Sequence, residues 1–592
     1  MRQTVRRMPT GRVFAIACVL FLGAAPLWSA SQEISGDSAT LRALEAEFTS
    51  SPSSGAAARR GPMGDGLTAS LEAAREQSAW AAGFLKKLGG INAARLSHDD
   101  WILHALMTYE AGIAAEADRF FWQGFEVTPY SSPLRTIAPR FGALPISTDA
   151  ERLAYLDALH QIPAAMAAYE ARLRSQAARG IIVPAPELDL VVPFVRTLVA
   201  DPASSAFALA PARLASLPAA VREPFESRVR TTLSETVVPS VERLAAFLNG
   251  PYRAMAPSTV GLSQYPGGRD YYAHLIRRHT GIDAAPEEIH RIGLAEVARL
   301  NAELDTVRRD AGFVGSLDEF RKYLKTDRRL FPATSAEIGE TMMAAIRRIE
   351  PKVSEFFVTQ PAAPYGVLRL DASLEASMTY GFYQLPSSGE PRGLYRFNGS
   401  NHEERSLLMA AATIYHELVP GHHFQMGLRA QNTALRGLRR TAMYSTFTEG
   451  WAEYASDLAG EMGMYADPLA RAGRLAMDLF LSTRLVVDTG MNALGWSRDR
   501  AMAFMREHTL ESELQISTET LRYSTDLPGQ ALAYKLGALK IHELRRVANQ
   551  RLADRFDLRR FHEYVLASGS LPLGILDEHL KCLGGERHPL VK

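Results

Sequence analysis

Apolar residues recur three and four positions apart through most of this chain, the spacing of a buried helical face. Leu71, Ala74, Trp80, Phe84 and Leu88 mark one such face, and Leu103, Leu106, Met107, Ala111 and Ala114 mark another. Pro129, Pro133, Pro139 and Pro145 then separate shorter pieces, and residues 222–248 predict a long amphipathic helix with Pro224 in its first turn and a cut at Pro239. The stretch 261–272, Gly-Leu-Ser-Gln-Tyr-Pro-Gly-Gly-Arg-Asp-Tyr-Tyr, predicts a turn leading into a helix that runs to His279. Pro286 followed by Glu287 and Glu288 predicts the start of the next helix, because proline suits a first turn and acids complement the amino-terminal dipole. Helical spacing continues to about Phe357.

Alternation with a period of two is concentrated in one region. Residues 366–370, 378–383 and 394–398 predict strands, with a Gly-Glu-Pro-Arg-Gly turn at 389–393. From Glu403 onward the pattern is helical again. The expected architecture is mainly α, with one small sheet just before a histidine-rich helix.

Length and composition add bounds to this picture. A chain of 592 residues predicts two to four lobes or one large helical body. With 47% hydrophobic and 22% charged residues it buries an ordinary core. A formal net charge of +1 argues against a nucleic-acid partner or a polybasic membrane patch. At the amino terminus, Arg2, Arg6, Arg7 and Arg12 precede an apolar run at 13–27 and the small residues Ser29, Ala30 and Ser31. That layout predicts a signal peptide over 1–31 and an exported product, periplasmic or secreted. The run falls short of the roughly 20 residues needed to span a bilayer, and no later run reaches that length, so stable membrane insertion is not expected after processing. Cys18 lies too early in the run for lipid attachment, and Cys582 alone remains after cleavage, so no internal disulfide is expected. Residues 32–66 are rich in Ser, Gly, Ala and Pro and predict a flexible lead-in, interrupted by one helical pattern at 41–48.

The chemistry concentrates at 414–425, Ile-Tyr-His-Glu-Leu-Val-Pro-Gly-His-His-Phe-Gln. Two neutral imidazoles holding zinc, with a carboxylate beside the first acting on water, are the parts of a zinc hydrolase. The usual spacing is His-Glu-x-x-His, which places the histidines about 40° apart around a helix. Here His416 and Glu417 are followed by His422 and His423, with Pro420 between. On an undistorted helix His423 returns to within about 20° of His416 and His422 lies about 120° away. Pro420 argues against an undistorted helix, since proline removes a backbone donor and clashes with the preceding turn. The other His-Glu pairs, at His402, His542 and His562, are read as surface helix residues. Downstream, Glu449 and Glu453 are four apart and share a helical face among Trp451, Ala452 and Tyr454, where a charged residue needs a partner.

Residues 416–425, Glu449-Gly-Trp-Ala-Glu453-Tyr and Pro528-Gly-Gln-Ala-Leu-Ala-Tyr534-Lys-Leu-Gly together resemble the bacterial domain-of-unknown-function 885 family, and the stretch from Gly261 fits it too. The resemblance runs from about Leu67 to the end, and its three carboxy-terminal motifs are the specific part. That family is similar in motif order to helical gluzincin peptidases of the thimet-oligopeptidase and angiotensin-converting-enzyme type. The resemblance implies a large two-lobed helical fold with a deep groove, the small sheet beside the metal-binding helix, an amino-terminal lobe at about 67–260 and a catalytic part at about 261–592. It implies His416 and Glu449 as ligands of one zinc ion, with His422 favoured over His423 as the second ligand and the choice between them open, Glu417 as general base, and Glu453 supporting a ligand. Placing His422 on the metal requires a two-residue bulge in the helix and leaves His423 as a supporting residue or substrate contact. Tyr534, five residues after Gly529 as in the oligopeptidases, is the implied oxyanion donor. Arg522, Tyr523 and Lys535 are candidates for binding a substrate carboxylate or carbonyl.

The expected function is therefore an exported zinc metallopeptidase acting on short peptides. The strand at 394–398, with Tyr395, is expected to serve as an edge to which an extended peptide pairs. Two alternatives share these residues: a zinc amidase or esterase on a small substrate, and a non-catalytic periplasmic metal-binding scaffold. A structural site, however, ordinarily uses four protein ligands and has no need of an acid beside the first histidine.

Overall fold

A computed structural model describes residues 36–51, 69–200, 205–375 and 380–584. The predicted signal peptide and most of the lead-in lie outside the described residues. Within the lead-in, the pattern at 41–48 belongs to helix α1 (Gly36–Thr49), which buries Leu41, Leu44 and Phe48. Helices α2 (Leu71–Gly89) and α3 (His98–Ala114) follow, each started by a serine whose side chain accepts from a backbone N–H of the first turn. All three pack against the carboxy-terminal helices in one apolar core that also holds Ile414, Phe447 and Trp451.

Residues 127–252 form a second helical core. Its long helix α4 (Asp149–Ala177) opens with a reciprocal Thr148–Glu151 capping box. The predicted helix at 222–248 is two helices, Ala219–Thr232 and α5 (Val238–Phe247), joined by a wide turn at Leu233–Val237 ahead of Pro239. Helix α6 (Gly268–Thr280) comes next, then α7 (Pro286–Asp310) with proline in its first turn, and α8 (Ser335–Ile349).

The sheet has three strands, β1 (Tyr365–Arg369), β2 (Gly381–Gln384) and β3 (Gly393–Phe397). Their order is β1-β3-β2, with β1 parallel and β2 antiparallel to β3. This corrects the expectation for 394–398. Strand β3 is central, its backbone groups are paired on both sides, and no peptide can add to it.

Four helices carry the motifs at 414–425, 449–454 and 528–537 and pack together: α9 (Ala410–Glu417), α10 (His422–Gln431), α11 (Ser445–Glu461) and α13 (Leu532–Leu552), with α12 (Pro468–Ala493) running between α11 and α13 in sequence. Ser456 of α11 donates to the Ala412 carbonyl of α9 at 2.9 Å, and Tyr415 of α9 donates to the Ala345 carbonyl of α8 at 3.1 Å. Helix α12 is buried along nearly its whole length. The chain is thus a mainly helical protein with one small sheet. Among the described residues, no helix is long and apolar enough to cross a membrane.

Candidate metal centre

The helix bearing His416 ends one residue later. Leu418 leaves helical geometry (φ −115°, ψ −88°), the Val419–Pro420 peptide is cis, and α10 begins at His422. The expected bulge in one continuous helix is therefore a break between two helices. Pro420 has no N–H to continue the first helix. Gly421 sits so close to that helix that a Cβ there would lie 1.7 Å from the His416 carbonyl oxygen, so the turn requires glycine. From α11, the Trp451 indole donates to the Pro420 carbonyl at 3.0 Å and pins the turn.

This reversal folds His422 back over His416. Their rings lie 4.7 Å apart at 86°, edge to face. Glu449 Oε2, from α11, is 3.4 Å from His416 Nε2 and 3.3 Å from His422 Nε2. One ligand atom from each of the three residues lies within 4.8 Å of the other two, and among the described residues no other such group occurs. Two imidazole nitrogens and one carboxylate oxygen suit zinc, and three protein ligands leave a position open. Charge accounts for the arrangement's polarity. Burial opposes charge on Glu449, but His422 and His416 more than offset it and hold the carboxyl well below the usual range. Burial likewise opposes charge on His416, yet Glu449, Glu453 and Glu417 together raise it to about 10.

His423 faces elsewhere. Its Nε2 lies 3.0 Å from the Ala363 carbonyl, which can only accept, so Nε2 carries the proton and Nδ1 accepts from the Tyr383 hydroxyl at 2.9 Å. Burial keeps the ring neutral, lowering it to about 4. His423 therefore fastens α10 to the sheet, and it is His422 that joins His416 and Glu449. Glu453 Oε2 lies 3.4 Å from His416 Nδ1. Glu417 is half-buried at the end of α9, and burial and Glu449 raise its pKa against the pull of His422 and His416.

Tyr534, in the first turn of α13, lies near the cluster with its ring 6.4 Å from that of His416 and nearly parallel to it. Burial and Glu449 push its hydroxyl up to about 12. The turn ahead of it is set by Gly529, whose φ of +81° only glycine adopts freely and whose N–H donates to Asp488. Of the expected substrate contacts, Arg522 alone is partly exposed, with Nη2 donating to Gln530 at 3.1 Å. Lys535 points away from the centre and is buried against Asp478 (2.5 Å) and Glu296 (3.0 Å). Tyr523 is buried and accepts from Arg484 Nε at 2.5 Å. Tyr395 is 2% exposed, which leaves it no face for a substrate. His562 also departs from expectation. It is fully buried, accepting from the Tyr454 hydroxyl at 2.7 Å while its other nitrogen donates to the Phe356 carbonyl.

Three residues around the centre escaped sequence reasoning. Arg474 donates to Glu453 at 2.5 Å, Arg484 lies 4.8 Å over the Tyr534 ring, and Tyr383 orients His423. The first two had a readable signal: charged residues at core-facing positions of α12, between Leu475, Ala476, Leu479, Leu485 and Val486.

Fold and site together define a large, mainly helical protein with a buried His/His/Glu centre. The chain belongs to the family described as "Bacterial protein of unknown function (DUF885)", which matches residues 57–580. Two solved structures, each described as a "putative lipoprotein", are similar to it. The one from Colwellia psychrerythraea is 27% identical with a TM-score of 0.79, covering 92% of this chain and 98% of that one. The one from Shewanella oneidensis, of unknown function, is 16% identical with a TM-score of 0.67, covering 91% and 98%, a likeness of fold alone. No curated protein matches the chain.

Proposed function

We propose that this protein is an exported zinc-dependent metallopeptidase that hydrolyses short peptides. The observation that carries the proposal is the convergence of His416, His422 and Glu449, with ligand atoms within 4.8 Å, close enough to the carboxyl of Glu417 to shift its pKa. One further fact fits the donor set: the outer nitrogen of His416 faces a Glu453 carboxylate oxygen at 3.4 Å. Zinc held there supplies Lewis acidity, lowering the pKa of a water and polarising a carbonyl. Glu417 takes the proton from the attacking water and delivers it to the leaving amine, a role suited to a carboxyl whose pKa is raised. Tyr534, protonated at neutral pH, donates to the developing oxyanion. The order of these residues in the chain is that of the gluzincin peptidases, which supports a groove between helical lobes.

Substrate binding moves from β3 to its neighbour. Among the described residues β2 pairs only with β3, so its other edge is available for strand addition. The Tyr383 ring of β2 lies 6.5 Å from that of His422, which sets a paired peptide beside the centre. Arg522 is the remaining candidate for a substrate carboxylate or carbonyl. Export rests on the amino-terminal pattern of arginines and apolar residues, and the structure from Colwellia psychrerythraea is described as a "putative lipoprotein".

A digest of a peptide library by zinc-loaded protein, read by mass spectrometry with and without chelator, tests the proposal. Chelator-sensitive cleavage of short peptides is expected. Cleavage confined to small amides or esters moves the reading to an amidase or esterase, and bound zinc without any hydrolysis moves it to a scaffold.

A further inference from the structure

Helix α12 lies in the core, yet four of its buried positions carry charge: Arg474, Asp478, Arg484 and Asp488. A charge is costly to bury without a fixed partner, so each of these residues marks a group it holds in place. Arg474 is 5% exposed. Its Nη2 donates to Glu453 Oε1 at 2.5 Å, and the other oxygen of Glu453 faces His416 Nδ1 at 3.4 Å, an ion-pair contact in which neither atom has a hydrogen bond. Two other carboxylates stand near the guanidinium without hydrogen-bond geometry, Asp457 at 3.7 Å from Nε and Asp478 at 4.0 Å from Nη2. Nε and Nη1 have no hydrogen-bond partner in the protein. Beside them is a cavity of about 260 Å³ that Arg474 shares with Asp457, Asp478, Lys535 and His542. The one directed bond of this arginine is therefore the bond to Glu453. That bond joins α12 through Glu453 of α11 to the ligand face of α9.

From this line we infer that Arg474 is a positioning residue for the metal centre. It fixes the Glu453 carboxylate, which in turn fixes the His416 ring with Nε2 toward Glu449 and His422. The inference rests on the reading of His416, His422 and Glu449 as a zinc site. Groups that orient a ligand histidine from behind change metal affinity by about 10–100-fold when removed.

The test is zinc affinity, measured by competition with a chromophoric chelator at fixed pH, in wild type and in R474M, E453Q and the double variant, with R471M on the exposed side of the same helix as control. Folding is checked by far-UV circular dichroism. R474M and E453Q are each expected to bind zinc about 10–100-fold more weakly than wild type. The double variant is expected to match E453Q, because Arg474 acts through Glu453, and R471M to match wild type. Cobalt-loaded R474M should also show a shifted absorption band. A folded R474M that binds zinc as wild type does overturns the inference. Should R474M alone not fold, the double variant removes both buried charges together and decides the matter: binding tenfold weaker than E453Q overturns the inference. A wild type that takes up no zinc overturns the site reading and this inference with it. Zinc binding without peptide hydrolysis overturns only the peptidase reading, and the affinity series still decides the role of Arg474.

Discussion

Gly450 of α11 and Gly537 of α13 meet backbone to backbone. A Cβ on Gly450 would lie 2.5 Å from Gly537 Cα, and a Cβ on Gly537 would lie 2.2 Å from the Thr446 carbonyl oxygen. Glu449 immediately precedes one of these glycines, and Tyr534 lies one turn before the other. The closeness of this crossing is what brings a ligand candidate and an oxyanion-donor candidate to one place. Replacing Gly537 with alanine must push the helices apart, because the obstructing atoms are backbone and cannot rotate away. We expect Gly537→Ala to lose about 1–3 kcal/mol, read as a lower urea midpoint at unchanged slope. Zinc affinity should fall with it as Glu449 shifts relative to His416.

The two adjacent histidines should separate cleanly by experiment. His422→Ala removes one of three ligand candidates and is expected to abolish tight zinc binding. His423→Ala leaves the cluster intact but strips partners from the Tyr383 hydroxyl and the Ala363 carbonyl. An orphaned buried polar group costs about 1–3 kcal/mol, so this variant should bind one zinc yet melt earlier. Zinc stoichiometry and thermal unfolding, measured on both variants, make the comparison. Loss of zinc in His423→Ala with retention in His422→Ala would reverse the assignment.

Tyr534→Phe removes a hydroxyl and keeps the ring that stacks near His416 and under Arg484. Its packing and zinc affinity should therefore be unchanged. If the hydroxyl donates to the oxyanion, kcat should fall about 10²–10³-fold with little change in KM. Equal rates for the variant and wild type would remove Tyr534 from the mechanism.

His562 gives a pH dependence remote from the centre. Burial lowers its pKa to about 4, against 6.5 for an exposed histidine. Between those values the unfolded chain binds the proton and the folded one does not, so stability rises with pH across the window. The contribution is fully present above about 6.5 and is lost as the pH falls through about 4. A shift of this size corresponds to about 3 kcal/mol at most. Urea midpoints of wild type should drop between pH 6.5 and 4.5, and His562→Gln should show a shallower dependence. A variant as steep as wild type would assign the acid sensitivity to other groups.

Much of this site was readable from residue spacing because its chemistry is local. His416 and Glu417 are adjacent, Glu449 and Glu453 lie four apart on one helix, and Gly529 precedes Tyr534 by a fixed interval. Helix limits were readable for the same reason: Pro286 begins α7, and the helical pattern ends where predicted, near Phe357. What periodicity could not supply was the path of the chain through Pro420 and Gly421. The fit of Gly421 against the His416 carbonyl is a contact between backbones, invisible in a pattern of side chains. Strand order was hidden too, since alternation marks a strand without saying whether its edges are free. Lys535, Tyr523 and Tyr395 looked like site residues because they neighbour the motifs, but their partners, Asp478, Arg484 and the sheet, come from distant sequence.

Glu417 offers the most direct separation of binding from chemistry. It stands next to His416 in sequence but is not among the clustered ligand residues, so exchanging it for glutamine keeps the donor set and the side-chain shape. Burial and the neighbouring Glu449 both disfavour its charged form, so a neutral amide should cost the fold nothing and should not weaken zinc. The amide cannot accept the proton of the attacking water at any useful pH. Loss of a positioned general base typically removes about 10²–10⁴-fold in rate. Glu417→Gln should therefore bind one zinc with wild-type affinity, unfold at or slightly above the wild-type temperature, and lose that much in kcat on a peptide cut by the parent. Hydrolysis at an undiminished rate by a zinc-loaded variant would rule out the proposed mechanism. A variant that lost zinc would instead place Glu417 on the metal and require the donor set to be redrawn.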